Sequence, residues 1–241
     1  MTADVSRAPS GHGLSVREID PADGAVAGVV WLHGIGQDPS SLTAVATRLK
    51  VPEMGFRGAF PEAPVLGVGE ITGAPVRAWY EVSVFALDKA DMPGLVSMAD
   101  RLDRLIAQEC ERVGSERLVV AGFSQGAVMA LALGLRYPER LGALALYAPF
   151  MPPEVEALLE AERTDANAEL PVWIGHGARD MVTPEYMGHH VRDSLIAWGH
   201  PVTFQRYAGG HEPFGGVQRS LTDFLAATFD GLRIPDAVPE T

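Results

Sequence analysis

Three residue types that can together activate a hydroxyl occur in this chain in a telling order: Ser124, then Asp180, then His211. A serine nucleophile needs a base to take its proton and an acid to orient that base. Ser124 sits in Ala121-Gly122-Phe123-Ser124-Gln125-Gly126, between a strand-like run, Arg117 to Ala121, and a helix-like one, Ala127 to Tyr137. That context predicts a nucleophile elbow of the Gly-x-Ser-x-Gly type, whose strained turn leaves no room for bulky residues two places either side of the serine. Trp173-Ile174-Gly175-His176-Gly177-Ala178-Arg179-Asp180 is expected to be a strand ending in a turn that presents Asp180. Tyr207-Ala208-Gly209-Gly210-His211 is expected to be a strand end and a glycine-rich loop that presents His211. Nucleophile, acid and base in that chain order suit a doubly wound hydrolase.

The other candidates have plainer explanations. His12 falls in a terminal tail, and His189, His190 and His200 lie on or after a helix. His176 is too close before Asp180 to be its partner and is expected to hold the turn; His33 is expected to support a glycine-rich turn. Asp165 and Asp193 follow no strand. Acyl transfer also requires N–H donors aimed at the developing oxyanion. The Gln125 N–H, just after the nucleophile, is one expected donor. The other is Ile35, where the apolar run ending Trp31-Leu32-His33 opens into Gly34-Ile35-Gly36.

Metal and cofactor chemistries fail on spacing. Pro39 stands where a dinucleotide fingerprint needs its third glycine, and no Gly-Lys-Ser/Thr phosphate loop occurs. His211-Glu212 is followed by Pro213 and Gly215, which breaks a zinc-protease motif. Neither a metal nor a cofactor is expected.

The elements that must position these residues alternate along the chain. Strands are predicted at Leu14–Ile19, Val26–His33, Gly55–Phe60, Leu118–Gly122, Leu141–Ala148, Val172–His176 and Val202–Tyr207. Helices are predicted at Ser40–Lys50, Pro93–Val113, Gln125–Tyr137, Pro153–Arg163, Pro184–Trp198 and Val217–Phe229, on apolar spacings of three and four. Such alternation predicts an α/β fold with a mainly parallel, doubly wound sheet and helices on both faces. The 241 residues, 47% of them apolar, suit a single domain over 14–232, with a disordered N-terminal tail over 1–13 and a C-terminal tail over 233–241. Pro61 to Arg77, rich in Pro and Gly, reads as one long functional loop. The short helix at Pro153–Arg163 leaves no large lid domain.

A net charge of −12 argues against a nucleic-acid partner. One cysteine, Cys110, allows no intrachain disulfide and fits a reducing compartment. No apolar run approaches the roughly 18 residues of a membrane span, and no signal peptide is evident. A cytoplasmic protein acting on a small-molecule ester or acyl substrate, without stable membrane insertion, is expected.

Several blocks resemble the acyl-protein thioesterase and carboxylesterase family of small α/β-hydrolases. They are Leu32-His33-Gly34-Ile35-Gly36, Arg77-Ala78-Trp79-Tyr80, Gly122-Phe123-Ser124-Gln125-Gly126, Gly175-His176-Gly177 with Asp180, Val182 and Pro184, and His211 itself. The resemblance implies an α/β-hydrolase fold and a serine hydrolase cleaving carboxylic esters or thioesters through an acyl-enzyme. It implies the triad Ser124, Asp180 and His211, Trp79 near the substrate entrance, and a homodimer. Gln37 departs from the family pattern, which often has aspartate there. Trp79, Phe150, Met151, Met181, Val182 and Phe214 flank the proposed site in sequence; Trp79 and Met181 are the foremost substrate-binding candidates among them. The alternative is a binding protein that keeps the hydrolase scaffold without its chemistry, but such proteins usually lose a triad member.

Overall fold

In the computed structural model, residues 5–7, 11–68, 73–83, 86–212, 217–230 and 232 are described. Among them an eight-stranded sheet runs in the order β1-β2-β4-β3-β7-β8-β9-β10. These strands are Val5–Arg7 (β1), Val16–Ile19 (β2), Phe56–Pro61 (β4), Ala27–Leu32 (β3), Leu118–Phe123 (β7), Ala143–Tyr147 (β8), Val172–Gly177 (β9) and Val202–Tyr207 (β10). From β4 to β10 every pairing is parallel; β1–β2 and β2–β4 are antiparallel. The sheet is the mainly parallel one expected of an α/β-hydrolase.

Central strands of a parallel sheet are buried on both sides, so they read as unbroken apolar runs. Leu118–Phe123 and Ala143–Tyr147 are buried at every residue. Two apolar cores result. Helices Met92–Val113 (α2), Gln125–Arg136 (α3), Pro153–Glu162 (α4) and Glu185–Ala197 (α5) pack on one face, with Leu102, Met129, Leu146 and Val191 among the buried residues. Helices Pro39–Arg48 (α1) and Gln218–Thr228 (α6) cover the other, over Trp31, Phe60, Tyr147 and Trp173. Helix starts follow local chemistry: the Asp38 carboxylate accepts from Ser40 N–H ahead of Pro39, and the Asp91 carboxylate accepts from Gly94 N–H ahead of α2.

Three strands have no counterpart in the sequence reading. β1 lies inside the segment over 1–13 expected to be tail and pairs with β2 of the domain, and His12, 2% exposed, is also held: its Nδ1 accepts from Leu14 N–H and its carbonyl accepts from Arg101. The expected loop over Pro61 to Arg77 contains an antiparallel ribbon of Val65–Val68 (β5) and Pro75–Arg77 (β6). Both pieces are three or four residues long, too short to show a period. The expected C-terminal tail over 233–241 lies outside the described residues.

Candidate active site

Ser124, Asp180, His211 and Ile35 leave the carboxyl ends of β7, β9, β10 and β3, and so gather at one edge of the sheet. At the elbow Ser124 has φ 54° and ψ −119°, a conformation that side chains rarely adopt. The chain can make this turn only with glycines around it. A Cβ on Gly122 would stand 2.1 Å from Gly126 O, and one on Gly126 would stand 2.2 Å from Leu32 O. Ser124 N–H is anchored on Tyr147 O at 2.9 Å, and Ser124 O accepts from Ala127 N–H at 2.8 Å as α3 begins.

The structure brings serine, histidine and aspartate into one chain of hydrogen bonds. His211 Nδ1 lies 2.7 Å from Asp180 Oδ2, and His211 Nε2 lies 2.9 Å from Ser124 Oγ. A carboxylate only accepts, so Nδ1 carries the proton and Nε2 accepts from the serine hydroxyl. Asp180, 5% exposed, takes three further donors: Val182 N–H (2.9 Å) and Thr183 N–H (2.8 Å) on Oδ1, and the Thr183 hydroxyl (3.0 Å) on Oδ2. Burial works against the charge. The hydrogen bond and positive potential of His211, with the two loop N–H groups, outweigh it and hold the carboxyl below its usual range. The acid's loop is itself fastened: buried His176 hydrogen-bonds through Nε2 to Thr183 O at 2.8 Å. On the base's side, Tyr207 OH donates to Glu212 O at 2.5 Å, and the Phe123 ring packs 4.8 Å from the imidazole.

Opposite the base, Gly34-Ile35-Gly36 forms a tight turn. Gln37 Oε1 accepts from Gly34 N–H (3.1 Å), Gln37 N–H donates to Gly34 O (3.2 Å), and Gly36 N–H donates to Arg77 O (2.8 Å). Ile35 N–H has no backbone acceptor among the described residues. Gln125 opens α3, so its N–H belongs to the first turn, which has no intrahelical carbonyl to reach. Both residues line the cavity above Ser124.

That cavity, about 140 Å³, is also walled by Val82, Leu87, Phe123, Phe150 and Val182, with Gln37 and His211 at its polar side. The two foremost substrate-binding candidates lie outside this lining. Trp79 is 1% exposed and does not line the cavity. Its indole N–H donates to His33 O at 2.7 Å and its ring packs 4.9 Å from the His33 imidazole, so it braces the Ile35 turn from beneath. Met181 is 89% exposed and also outside the lining; Val182, the next residue, is the one that reaches the cavity. Met151 is buried in the core, and Phe214 lies outside the described residues. The sequence reading missed Val82 and Leu87, which sit in an irregular segment with no period, and Thr183, which an acid-loop motif would have flagged only as a neighbour of Pro184.

His33, wholly buried, is a structural hub. Its Nε2 accepts from Ala63 N–H at 3.1 Å, so Nδ1 holds the proton and donates to Gly34 O at 2.8 Å. Burial pushes its pKa down from 6.5 to about 4, against the opposing pull of the Gly34 carbonyl and Asp38, and it stays neutral. Among the described residues no group of three or more His, Cys, Asp or Glu side chains could hold a metal ion, and no helix is long and apolar enough to cross a membrane.

Comparison with known proteins agrees with this architecture. The chain is 30% identical over 199 residues to acyl-protein thioesterase 1 of Mycosarcoma maydis, covering 76% of this chain and 81% of that one. It is 28% identical over 167 residues to acyl-protein thioesterase 1 of Saccharomyces cerevisiae, covering 66% of this chain and 73% of that one. The crystal structure of acyl-protein thioesterase 2 of Zea mays superposes with a TM-score of 0.71 at 26% identity, covering 88% of this chain and 99% of that one. The sequence pattern of the phospholipase/carboxylesterase family matches residues 16–229. The chain therefore belongs to the phospholipase/carboxylesterase family and is a carboxylic ester hydrolase of the α/β-hydrolase fold.

Proposed function

We propose that the chain hydrolyses acyl esters and thioesters through a covalent intermediate on Ser124. The single observation that carries this reading is the unbroken relay from Asp180 through His211 to Ser124, at 2.7 and 2.9 Å. His211 Nε2 takes the hydroxyl proton as Ser124 Oγ attacks the acyl carbonyl, and Asp180 stabilises the resulting imidazolium. The Ile35 and Gln125 N–H groups receive the oxyanion. Collapse expels the alcohol or thiol, protonated by His211. Water, deprotonated by the same histidine, then attacks the acyl-enzyme and releases the acid.

Val82, Leu87, Phe150 and Val182 give the acyl group an apolar wall beside Ser124. The names of the thioesterase relatives support inclusion of thioesters among the substrates. One cysteine and no possible intrachain disulfide support action in the cytoplasm. Turnover of p-nitrophenyl esters from acetate to palmitate, and of an acyl thioester, tests the reading. Wild type is expected to turn over both classes while Ser124→Ala, folded, turns over neither. Comparable hydrolysis by the Ser124→Ala protein overturns it.

A further inference from the structure

Asp180 receives four hydrogen bonds, and one of them comes from a side chain that also touches the base. Thr183 is fully buried, and its hydroxyl lies 3.0 Å from Asp180 Oδ2, 3.2 Å from His211 Nδ1 and 3.4 Å from Ala148 O. A hydroxyl has one proton to give. His211 Nδ1 already carries a proton directed at Asp180, so it cannot accept. Of the two remaining acceptors, the carboxylate is nearer and charged, and it takes the hydroxyl proton in preference to the neutral carbonyl. The hydroxyl and the imidazole therefore share the lone pairs of the same oxygen.

We propose that Thr183 is a positioning residue of the hydrolytic site, its hydroxyl holding Asp180 Oδ2 against His211 and moderating how strongly that oxygen binds the imidazole. The inference rests on Ser124, Asp180 and His211 acting as proposed above. Its backbone tightens the same joint: Thr183 N–H donates to Asp180 Oδ1 at 2.8 Å, and Thr183 O partners His176 Nε2 at 2.8 Å. With the hydroxyl present, Oδ2 is fixed from two directions and part of its charge is already engaged. Without it, the charge rests on His211 alone, which stabilises the imidazolium, while the carboxylate loses one of its restraints.

The pH profile of kcat/KM on p-nitrophenyl acetate reads this directly in wild type, Thr183→Val and Thr183→Ser. Valine keeps the branched shape and the backbone contacts and exchanges the hydroxyl for a methyl group. Other titratable groups around the pair are unchanged in all three proteins: His176 on β9, 3.8 Å from Asp180 Oδ2, Tyr207 on β10, Arg179 and Glu212 in the loops, and Glu185 on α5. In Thr183→Val the acidic limb is expected to move up by roughly half a pH unit, with kcat lowered about threefold to tenfold and KM little changed. Thr183→Ser restores the wild-type profile.

An unmoved limb in Thr183→Val, or equal losses in the valine and serine variants, overturns the inference and leaves the threonine a packing residue. If the valine variant does not fold, Thr183→Ala against Thr183→Ser makes the same comparison. Ser124→Ala, assayed alongside, separates the two levels: residual wild-type turnover there defeats the triad reading itself. A dead Ser124→Ala with an unmoved Thr183→Val limb defeats only the threonine's role.

Discussion

Gln125 grips Trp79 and its neighbour by the backbone: Trp79 N–H donates to Gln125 Oε1 at 3.0 Å, and Gln125 Nε2 donates to Tyr80 O at 2.8 Å. The residue that follows Ser124 thus lines the cavity and uses its side chain to fasten the segment under the Ile35 turn. Trp79 completes the tie through His33 O. The two proposed oxyanion donors, more than eighty residues apart in sequence, are held by one buried network.

Gln125→Leu keeps the bulk and strands two buried backbone groups. An unpaired buried donor or acceptor costs about 1–3 kcal/mol, so a loss of about 2–6 kcal/mol is expected in urea unfolding. The kcat is expected to fall more than KM rises, because the donors slacken where charge develops. Trp79→Phe removes the indole donor and leaves a small cavity in a fully buried site, and should lose about 2–4 kcal/mol.

At the elbow, Gly126→Ala places a methyl 2.2 Å from Leu32 O and 2.7 Å from His33 O, both backbone atoms that cannot swing aside. A cost above about 4 kcal/mol, or failure to fold, is expected in thermal melts. Gly11→Ala, where an added Cβ meets nothing within 4 Å, is the control and should be nearly silent.

His33 makes stability depend on pH. Its folded pKa is about 4 against 6.5 unfolded, so between those values the unfolded chain binds more protons and stability rises with pH. The contribution is complete above 6.5 and declines as pH falls toward 4, by about 3 kcal/mol in all. His176 and His200, whose pKa values burial also lowers, steepen the same slope. Asp180 acts lower still: its depressed pKa favours the fold above the ordinary carboxylate value, and that support is lost as pH falls below it. Urea midpoints measured from pH 7 to 4 should show the histidine slope, and His33→Asn should flatten it.

Away from the site, Arg57 joins Glu109 (2.6 Å), Asp20 (2.6 Å) and Glu18 (3.2 Å), pinning β4 to α2 and β2. Glu109 is 1% exposed, and burial raises its pKa despite Arg57 and Arg112. Arg57→Met should cost about 3–5 kcal/mol at pH 8 by leaving that charge buried without its main partner. The cost should shrink at pH 5, because the orphaned carboxyl takes up a proton and its charge vanishes. Unfolding at the two pH values checks the sign.

Much of this arrangement was legible in the sequence because the signals are local. An elbow serine needs glycines at fixed offsets, and acid and base each follow a strand, so Ser124, Asp180 and His211 could be named from neighbours within a few residues. The central strands read as unbroken apolar runs, and the six helices carry apolar spacings of three and four. The position of Trp79 is not legible in the sequence, because an aromatic in a glycine-rich loop reads the same whether it faces substrate or braces a backbone from below. Val82, Leu87 and the β5–β6 ribbon lie in segments too short or irregular for a period to emerge. Thr183 was invisible as a partner of His211, since that contact spans 28 residues and depends on how two loops close on each other.

The central claim is that the acyl group is carried on Ser124 Oγ, and trapping that intermediate tests it most directly. Wild type mixed with excess p-nitrophenyl acetate, acid-quenched within milliseconds and mapped by peptide mass spectrometry, should carry one acetyl group on the peptide containing Ser124, formed in step with a burst of nitrophenol. The Ser124→Ala protein should show neither adduct nor burst. Steady hydrolysis by wild type with no label on that peptide, or an equal burst from Ser124→Ala, would contradict the account.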